Sequence, residues 1–334
     1  KEVRNHELLT EQIISNEFSV IERYEDDAFL KAAELIAAGE VIGTVLSSSE
    51  TGPRALGNRS LICDGKNKDA VKNLNTVIKN RTGDNIQTRI YKCQKPSLKT
   101  LLYVHGGGWV TCDIDTHDTF CKYLTHYAGI NVVSINYRLA PENRFPAALE
   151  DVEDALYWIK NEKEELVTDE NFIGVGGDSA GGNLSAAISL KLRDIKKEDF
   201  LSLQLLIYPA VSGNTSSETY QKYGSSPYRL KKETMEWFWL KYIPNKEVEY
   251  PEYIEPIKAN NFISLPSAII FTAEHDVLTY DTEEYVEKLK NSNIKVFYQK
   301  FNSMPHGFVN MIGQSEKAKE YSIEIAKKVK EIWN

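Results

Sequence analysis

A chain of 334 residues with 48 Asp and Glu against 40 Lys and Arg carries a net charge of −8, which offers no electrostatic footprint for nucleic acid or an anionic membrane. Hydrophobic residues at 42% and charged residues at 26% are ordinary for a globular protein with a full core, and no apolar run reaches the roughly 18 residues of a membrane span. The cysteines Cys63, Cys93, Cys112 and Cys121 show no CxxC pair and no histidines at zinc-like intervals, so reduced thiols and a cytoplasmic location are expected. The first twenty residues carry acids where a secretion signal would be apolar; the chain begins at Lys1, so a leader removed ahead of it stays open.

In chain order, Phe29, Ala32, Ala33, Ile36 and Ala37 recur at helical intervals and predict a helix over 26–38. "EVIGTVL" reads as a strand, the polar loop "SSSETGPRALGNRS" follows, and Val71, Leu74 and Ile78 predict a second helix over 69–79. A domain boundary is expected near Gly83, dividing the chain into 1–82 and 83–334. Beyond it strands and helices alternate, as crossover units of a mostly parallel sheet do. The strands are "IQTRIYKC", "TLLYVHG", "NVVSINY", "FIGVGGD", "LQLLIYP", "SAIIFTAEHD" and "KVFYQKF"; the helices are 151–161, 182–193, 282–290 and 316–333. Residues 212–262 interrupt the rhythm with aromatics such as Tyr220, Tyr223, Tyr228, Trp237, Phe238, Trp239, Tyr242, Tyr250 and Tyr253, and an insertion of that length reads as a cap over the body. Each ring singly is a packing residue; together some should line a substrate pocket.

Chemistry concentrates in four places. Gly177-Asp178-Ser179-Ala180-Gly181 is a G-x-S-x-G between an apolar strand and an alanine-rich helix. A turn that sharp strains the serine backbone and requires glycine two residues to either side. It presents the Ser179 hydroxyl at a helix amino end, where developing negative charge is favoured. A serine hydroxyl needs a base. Of the six histidines, His306 in "NSMPHGFVN" lies between the last strand and the last helix, as the base does in the serine, acid, histidine order. Asp276, closing "SAIIFTAEHD", is the acid expected to orient it. Glu274 and Asp281, the latter read as a cap for the next helix, are the competitors. "HGGGWV" follows a strand, its three glycines let backbone N–H groups meet a substrate oxygen, and the N–H of Ala180 completes the set.

"HGGGW", "NYRLAPENRFPAALEDVEDAL", "GDSAGGN", "EHDVL" and "PHGF" together resemble the hormone-sensitive lipase family of carboxylesterases, in the branch with an Asp before the serine. The resemblance spans about 86–334. It implies an α/β-hydrolase fold with a helical cap, no cofactor, and cleavage of short- to medium-chain acyl esters through an acyl-serine. By position it makes Ser179 the nucleophile, Asp276 the acid, His306 the base, Gly107, Gly108 and Ala180 the oxyanion donors, and "YRLAPE" at 137–142 structural support. The expected partner is a small-molecule ester, with no nucleic acid and no membrane span; a homodimer stays open.

Residues 26–81, above all "GPRALGNRS", are similar to a fragment of the carboxyl-terminal, YrdC-like domain of carbamoyltransferases, in which Arg54 and Arg59 would approach a carbamoyl phosphate or adenylate. The catalytic partner domain of that family is absent, so carbamoyl transfer is not the expected activity. The small α+β appendage over 1–82 stands where relatives of the esterase carry amino-terminal cap helices, and is read as a substitute cap, with an accidental, loosely attached fusion as the alternative. An arylformamidase-like amide hydrolase, which shares the HGG-x-W pattern, and a non-catalytic ligand-binding homologue are the alternatives.

Overall fold

The computed structural model describes residues 42–45, 59–62, 71–161, 166, 168–225, 227–245 and 247–333. The expected helix over 26–38, most of the 47–60 loop with Arg54, and Cys63 lie outside them. The chain divides into two compact units, Lys1–Ala70 and Val71–Asn334. In the first, β1 (Ile42–Val45) pairs antiparallel with β2 (Arg59–Ile62), Ile42 opposite Ile62.

The second unit is built on an eight-stranded sheet: β3 (Lys72–Lys79), β4 (Asn85–Lys92), β5 (Thr100–Val104), β6 (Asn131–Ile135), β7 (Ile173–Asp178), β8 (Leu201–Ile207), β9 (Ser267–His275) and β10 (Val296–Pro305). The spatial order is β10-β9-β8-β7-β5-β6-β4-β3. Pairing is parallel from β10 to β6 and antiparallel at β4 and β3. β5, β6 and β7 are buried at every position, as central strands covered on both faces must be. β10 is an edge and exposes Lys300.

Residues 72–79 form strand β3, where helical spacing predicts a helix. Leu74 and Ile78 satisfy both periods, but the intervening Asn73, Asn75, Thr76 and Val77 are weak helix formers, and a tight turn through Gly83 folds the segment back so that Lys79 pairs with Asn85 and Lys72 with Lys92. Only Ile78 of this strand reaches the core; Leu74 and Val77 are half exposed. Because β3 lies in the sheet, residues 71–82 belong to the second unit. Arg81, which bonds Asp154 at 2.7 Å, and Asn80, which bonds Asp151 at 3.1 Å, tie the turn to the helix Ala147–Asn161.

Helices cover the sheet: α1 (Asp118–Tyr123), α2 (Ala147–Asn161), α3 (Ala180–Lys191), α4 (Glu218–Tyr223), α5 (Lys232–Tyr242), α6 (Thr279–Asn291) and α7 (Glu316–Ile332). α3 is buried along its whole length. Its small residues allow close approach to the sheet, and Ser185 and Ser189 return their hydroxyls to the carbonyls four residues earlier. The 212–262 insertion holds α4, α5 and two short 3-10 turns, with Tyr220, Tyr223, Trp239, Tyr242 and Tyr253 buried as packing residues.

Candidate active site

Four loops meet at the carboxyl ends of β5, β7, β9 and β10, where an open parallel sheet places its chemistry. Ser179 joins β7 to α3 with φ 54° and ψ −117°, a strained conformation that only its surroundings hold. The glycines flanking it are required by contact: a Cβ on Gly177 would lie 2.1 Å from the Val104 carbonyl oxygen, and one on Gly181 only 1.9 Å from it. The strand-helix approach that the G-x-S-x-G spacing implies is this one.

The structure brings Ser179, His306 and Asp276 into one hydrogen-bonded line. His306 Nε2 is 2.9 Å from Ser179 Oγ, and Nδ1 is 2.7 Å from Asp276 Oδ2. Asp276 is buried and its other oxygen accepts from the Leu278 N–H at 3.0 Å, so the carboxylate is anchored before it meets the ring. With Nδ1 donating to a carboxylate, Nε2 is left to accept the serine proton. The Tyr208 ring packs against the imidazole, centroids 4.7 Å apart.

The competing acids are engaged elsewhere. Glu274 accepts from the Ser303 backbone N–H at 2.7 Å. Asp281 lies inside the first turn of α6, which starts at Thr279, so it is not the helix cap expected. Its buried carboxylate accepts from Ser217 Oγ of the insertion at 3.2 Å, and burial pushes it up to about 7.

Gly107 and Gly108 bend away from β5 at φ 115° and 60°. The N–H groups of Gly107, Gly108 and Ala180 donate to no other described residue, which leaves them available to an oxyanion. Their loop is braced from below. Tyr137 donates to the His105 carbonyl at 2.9 Å, and Ala140 N–H to that of Trp109 at 2.8 Å, so the "YRLAPE" segment holds both ends. His105 stacks on Tyr137 at 4.3 Å, and its Nδ1 reaches the Gly106 carbonyl at 2.7 Å; burial drops its pKa to about 4 and keeps the ring neutral. Trp109 stacks on Tyr242 of α5 at 4.4 Å, and Phe238 of the same helix lies against Gly108, where a Cβ would meet its ring at 2.3 Å.

The network behind the loop is what sequence reasoning missed. Asp178 is buried, and its Oδ1 accepts from Tyr103 Oη at 2.8 Å and Gly106 N–H at 3.0 Å, and faces His117 Nε2 at 3.1 Å. Burial raises the pKa of the carboxyl, but His117 and these donors outweigh it, and the net shift is downward. Nδ1 of the His117 ring lies 2.9 Å from Thr116 Oγ1, and Nε2 faces the carboxylate. Asn310, in the turn after His306, approaches the same Nε2 at 3.1 Å while its Oδ1 lacks a partner; with the amide turned over, Oδ1 accepts from His117. One buried polar cluster around Asp178 and His117 thus links the serine turn, the glycine loop and the histidine loop. The adjacency of Asp178 and Ser179 was visible in the sequence; nothing in it pairs Asp178 with His117, 61 positions away (178 − 117).

Residues 101–310 match the family model described as alpha/beta hydrolase fold, and residues 33–83 match the one described as carbamoyltransferase C-terminus. The chain is 30% identical over 297 residues to the ethyl acetate hydrolase of Pseudomonas putida, covering 86% of this chain and 92% of that one. It is 35% identical to the carboxylesterase NlhH of Mycobacterium tuberculosis over 67% of this chain and 72% of the relative. The hyperthermophilic esterase of Pyrobaculum calidifontis superimposes with a TM-score of 0.74 at 36% identity, covering 78% of this chain and 86% of that one. With the eight-stranded sheet carrying Ser179, Asp276 and His306 on its carboxyl-end loops, this chain belongs to the α/β-hydrolase fold family, in its hormone-sensitive-lipase-like group of carboxylic ester hydrolases.

Proposed function

We propose that this ester hydrolase works through Ser179, with His306 as base and Asp276 as the acid that orients it, on short- to medium-chain acyl esters. The observation that carries the assignment is the pair of contacts made by one imidazole, 2.9 Å to Ser179 Oγ and 2.7 Å to Asp276 Oδ2. Ser179 Oγ attacks the ester carbonyl as its proton passes to His306 Nε2, and the oxyanion is met by the N–H groups of Gly107, Gly108 and Ala180. His306 then protonates the departing alcohol. Water enters, loses a proton to the same nitrogen, adds to the acyl-serine, and the acid leaves with Ser179 restored. Each oxyanion donor is worth about 2.7–4 kcal/mol of transition-state stabilisation.

The test is hydrolysis of p-nitrophenyl acetate, butyrate, octanoate and laurate by the intact chain and by Ser179→Ala. A fall in kcat of about 10⁴-fold or more is expected, with activity declining toward laurate; equal rates in the two proteins overturn the assignment.

The reading extends to the amino-terminal segment as a substitute cap, to a cytoplasmic location and to a homodimer. The described cysteines Cys93, Cys112 and Cys121 are free thiols, which suits a reducing compartment, and no described helix is long and apolar enough to cross a membrane. A truncation that tests the cap must begin at Val71, because one at Gly83 would remove sheet strand β3. Unchanged activity and chain-length profile after that truncation refute the cap role.

A further inference from the structure

We propose that Arg229 forms an anion-binding subsite at the rim of the ester site, and that the preferred substrates are esters carrying a carboxylate a few bonds from the scissile carbonyl. The proposal rests on the ester-hydrolase reading above and names its substrate class.

Arg229 lies in the insertion between α4 and α5. Its neighbour Tyr228 packs against His275 at 5.5 Å and Tyr223 at 5.0 Å, which fixes this stretch of the cap beside the loops that carry Asp276 and His306. The guanidinium is exposed and lies over Gly307, the residue after His306. A Cβ on Gly307 would be 3.5, 3.6 and 3.7 Å from Cζ, Nη1 and Nε. Three nearly equal distances mean that the planar group lies face-on over that α-carbon, in packing contact. Its one polar contact, Nη1 to the Gly307 carbonyl, is long at 3.5 Å and weak by hydrogen-bond standards.

The other described arginine side chains are satisfied. Arg81 pairs with Asp154, Arg89 with Asp115 and Asp118, Arg138 with Asp151, and Arg193 with Asp194; Arg144 donates to the Leu240 and Ile243 carbonyls at 2.7 and 2.6 Å. Among the described residues Arg229 has no carboxylate, in a chain where acids outnumber bases 48 to 40. The nearest strand-end carboxylates are committed, Glu274 to the Ser303 N–H and Asp276 to His306. A guanidinium presents a planar fork that matches a carboxylate with two parallel bonds. Here the fork is held by stacking, and most of its donors face away from protein partners. At the oxyanion loop Phe238 lies against Gly108, and at the histidine loop Arg229 lies against Gly307, so the two loops meet different surroundings: one apolar, one cationic. A neutral ester uses only the first; an ester with a distal carboxylate uses both.

The experiment compares monomethyl glutarate with methyl valerate, a neutral ester of similar length, and 4-acetoxybenzoate with its methyl ester. Each is followed by pH-stat on the intact chain, Arg229→Leu and Arg229→Lys. The first pair places the carboxylate on the acyl side and the second on the alcohol side. The expected result is that the parent favours the anionic member of at least one pair through a lower KM. Arg229→Leu lowers that anionic-to-neutral ratio of kcat/KM by about 10- to 100-fold, Arg229→Lys restores part of it, and added salt erodes the parent's preference. A parent that favours the neutral member of both pairs, or an Arg229→Leu variant that loses equally on both members, overturns the proposal and leaves Arg229 as a brace for the Gly307 turn. No hydrolysis of any of the four esters would instead overturn the ester-hydrolase reading beneath it.

Discussion

The two halves of the candidate site are held by different forces. The body half, from Val104 to Gly108 and from Gly177 to Gly181, is fixed by backbone atoms in near contact: the Val104 carbonyl leaves no room for a side chain at Gly177 or Gly181, and a buried Asp178 takes three donors on one oxygen. The cap half, α4 and α5, is held by rings on rings, Trp109 against Trp239 and Tyr242, with Trp237 and Leu240 of the same helix left exposed. Backbone contact tolerates no substitution, whereas side-chain packing tolerates any that preserves volume. The body half therefore sets the chemistry, and the cap half is free to set which ester reaches it.

Gly181→Ala attacks that contrast most directly. Its new Cβ would stand 1.9 Å from the Val104 carbonyl oxygen, so the expected outcome is loss of the cooperative melting transition, or activity reduced by about 10³-fold or more from displacement of the serine turn. A variant that melts and turns over like the parent would show that the body half yields more readily than its geometry implies.

Trp239→Ala probes the other side. Truncating this buried ring removes a partner of Trp109 and is expected to lower stability by about 3–5 kcal/mol, read from the urea midpoint. It should alter the chain-length profile while keeping acetate-ester turnover within about tenfold of the parent. Losing the smallest ester as completely as Gly181→Ala would show that the two halves are not separable.

The joint between them is Asp281 of the body, bonded to Ser217 of the insertion. With a folded pKa of about 7 against an ordinary 3.8, the folded state holds a proton that the unfolded chain has released between those values. Stability is therefore fully present below about pH 4 and falls as pH rises toward 7, then levels off. Asp281→Asn, which stays neutral, is expected to match the parent near pH 4 and to exceed it by up to about 4 kcal/mol at pH 8. A difference that does not change with pH would place the effect outside this carboxyl.

Much of this was legible in the chain itself. The order of serine, acid and histidine follows the family resemblance, whereas the serine turn and the glycine loop depend on local steric rules: a strand that turns sharply into a helix needs Gly177 and Gly181, and a donor loop needs residues without side chains. Such rules act over a few positions, so a linear reading finds them. The alternating strands and helices from Ile86 onward were readable for the same reason, by their periods. Residues 72–79 were not, because Leu74 and Ile78 fit both a helix and a strand, and pairing with β4 decides between them. The contact of His117 with Asp178, the burial of Asp281 beneath Ser217 and the placement of Arg229 over Gly307 likewise join segments 61, 64 and 78 positions apart. Contacts of that kind depend on how layers stack around the sheet, and no local pattern encodes them: the sequence by itself determined which groups could do the chemistry, and tertiary packing decided what surrounds and charges them.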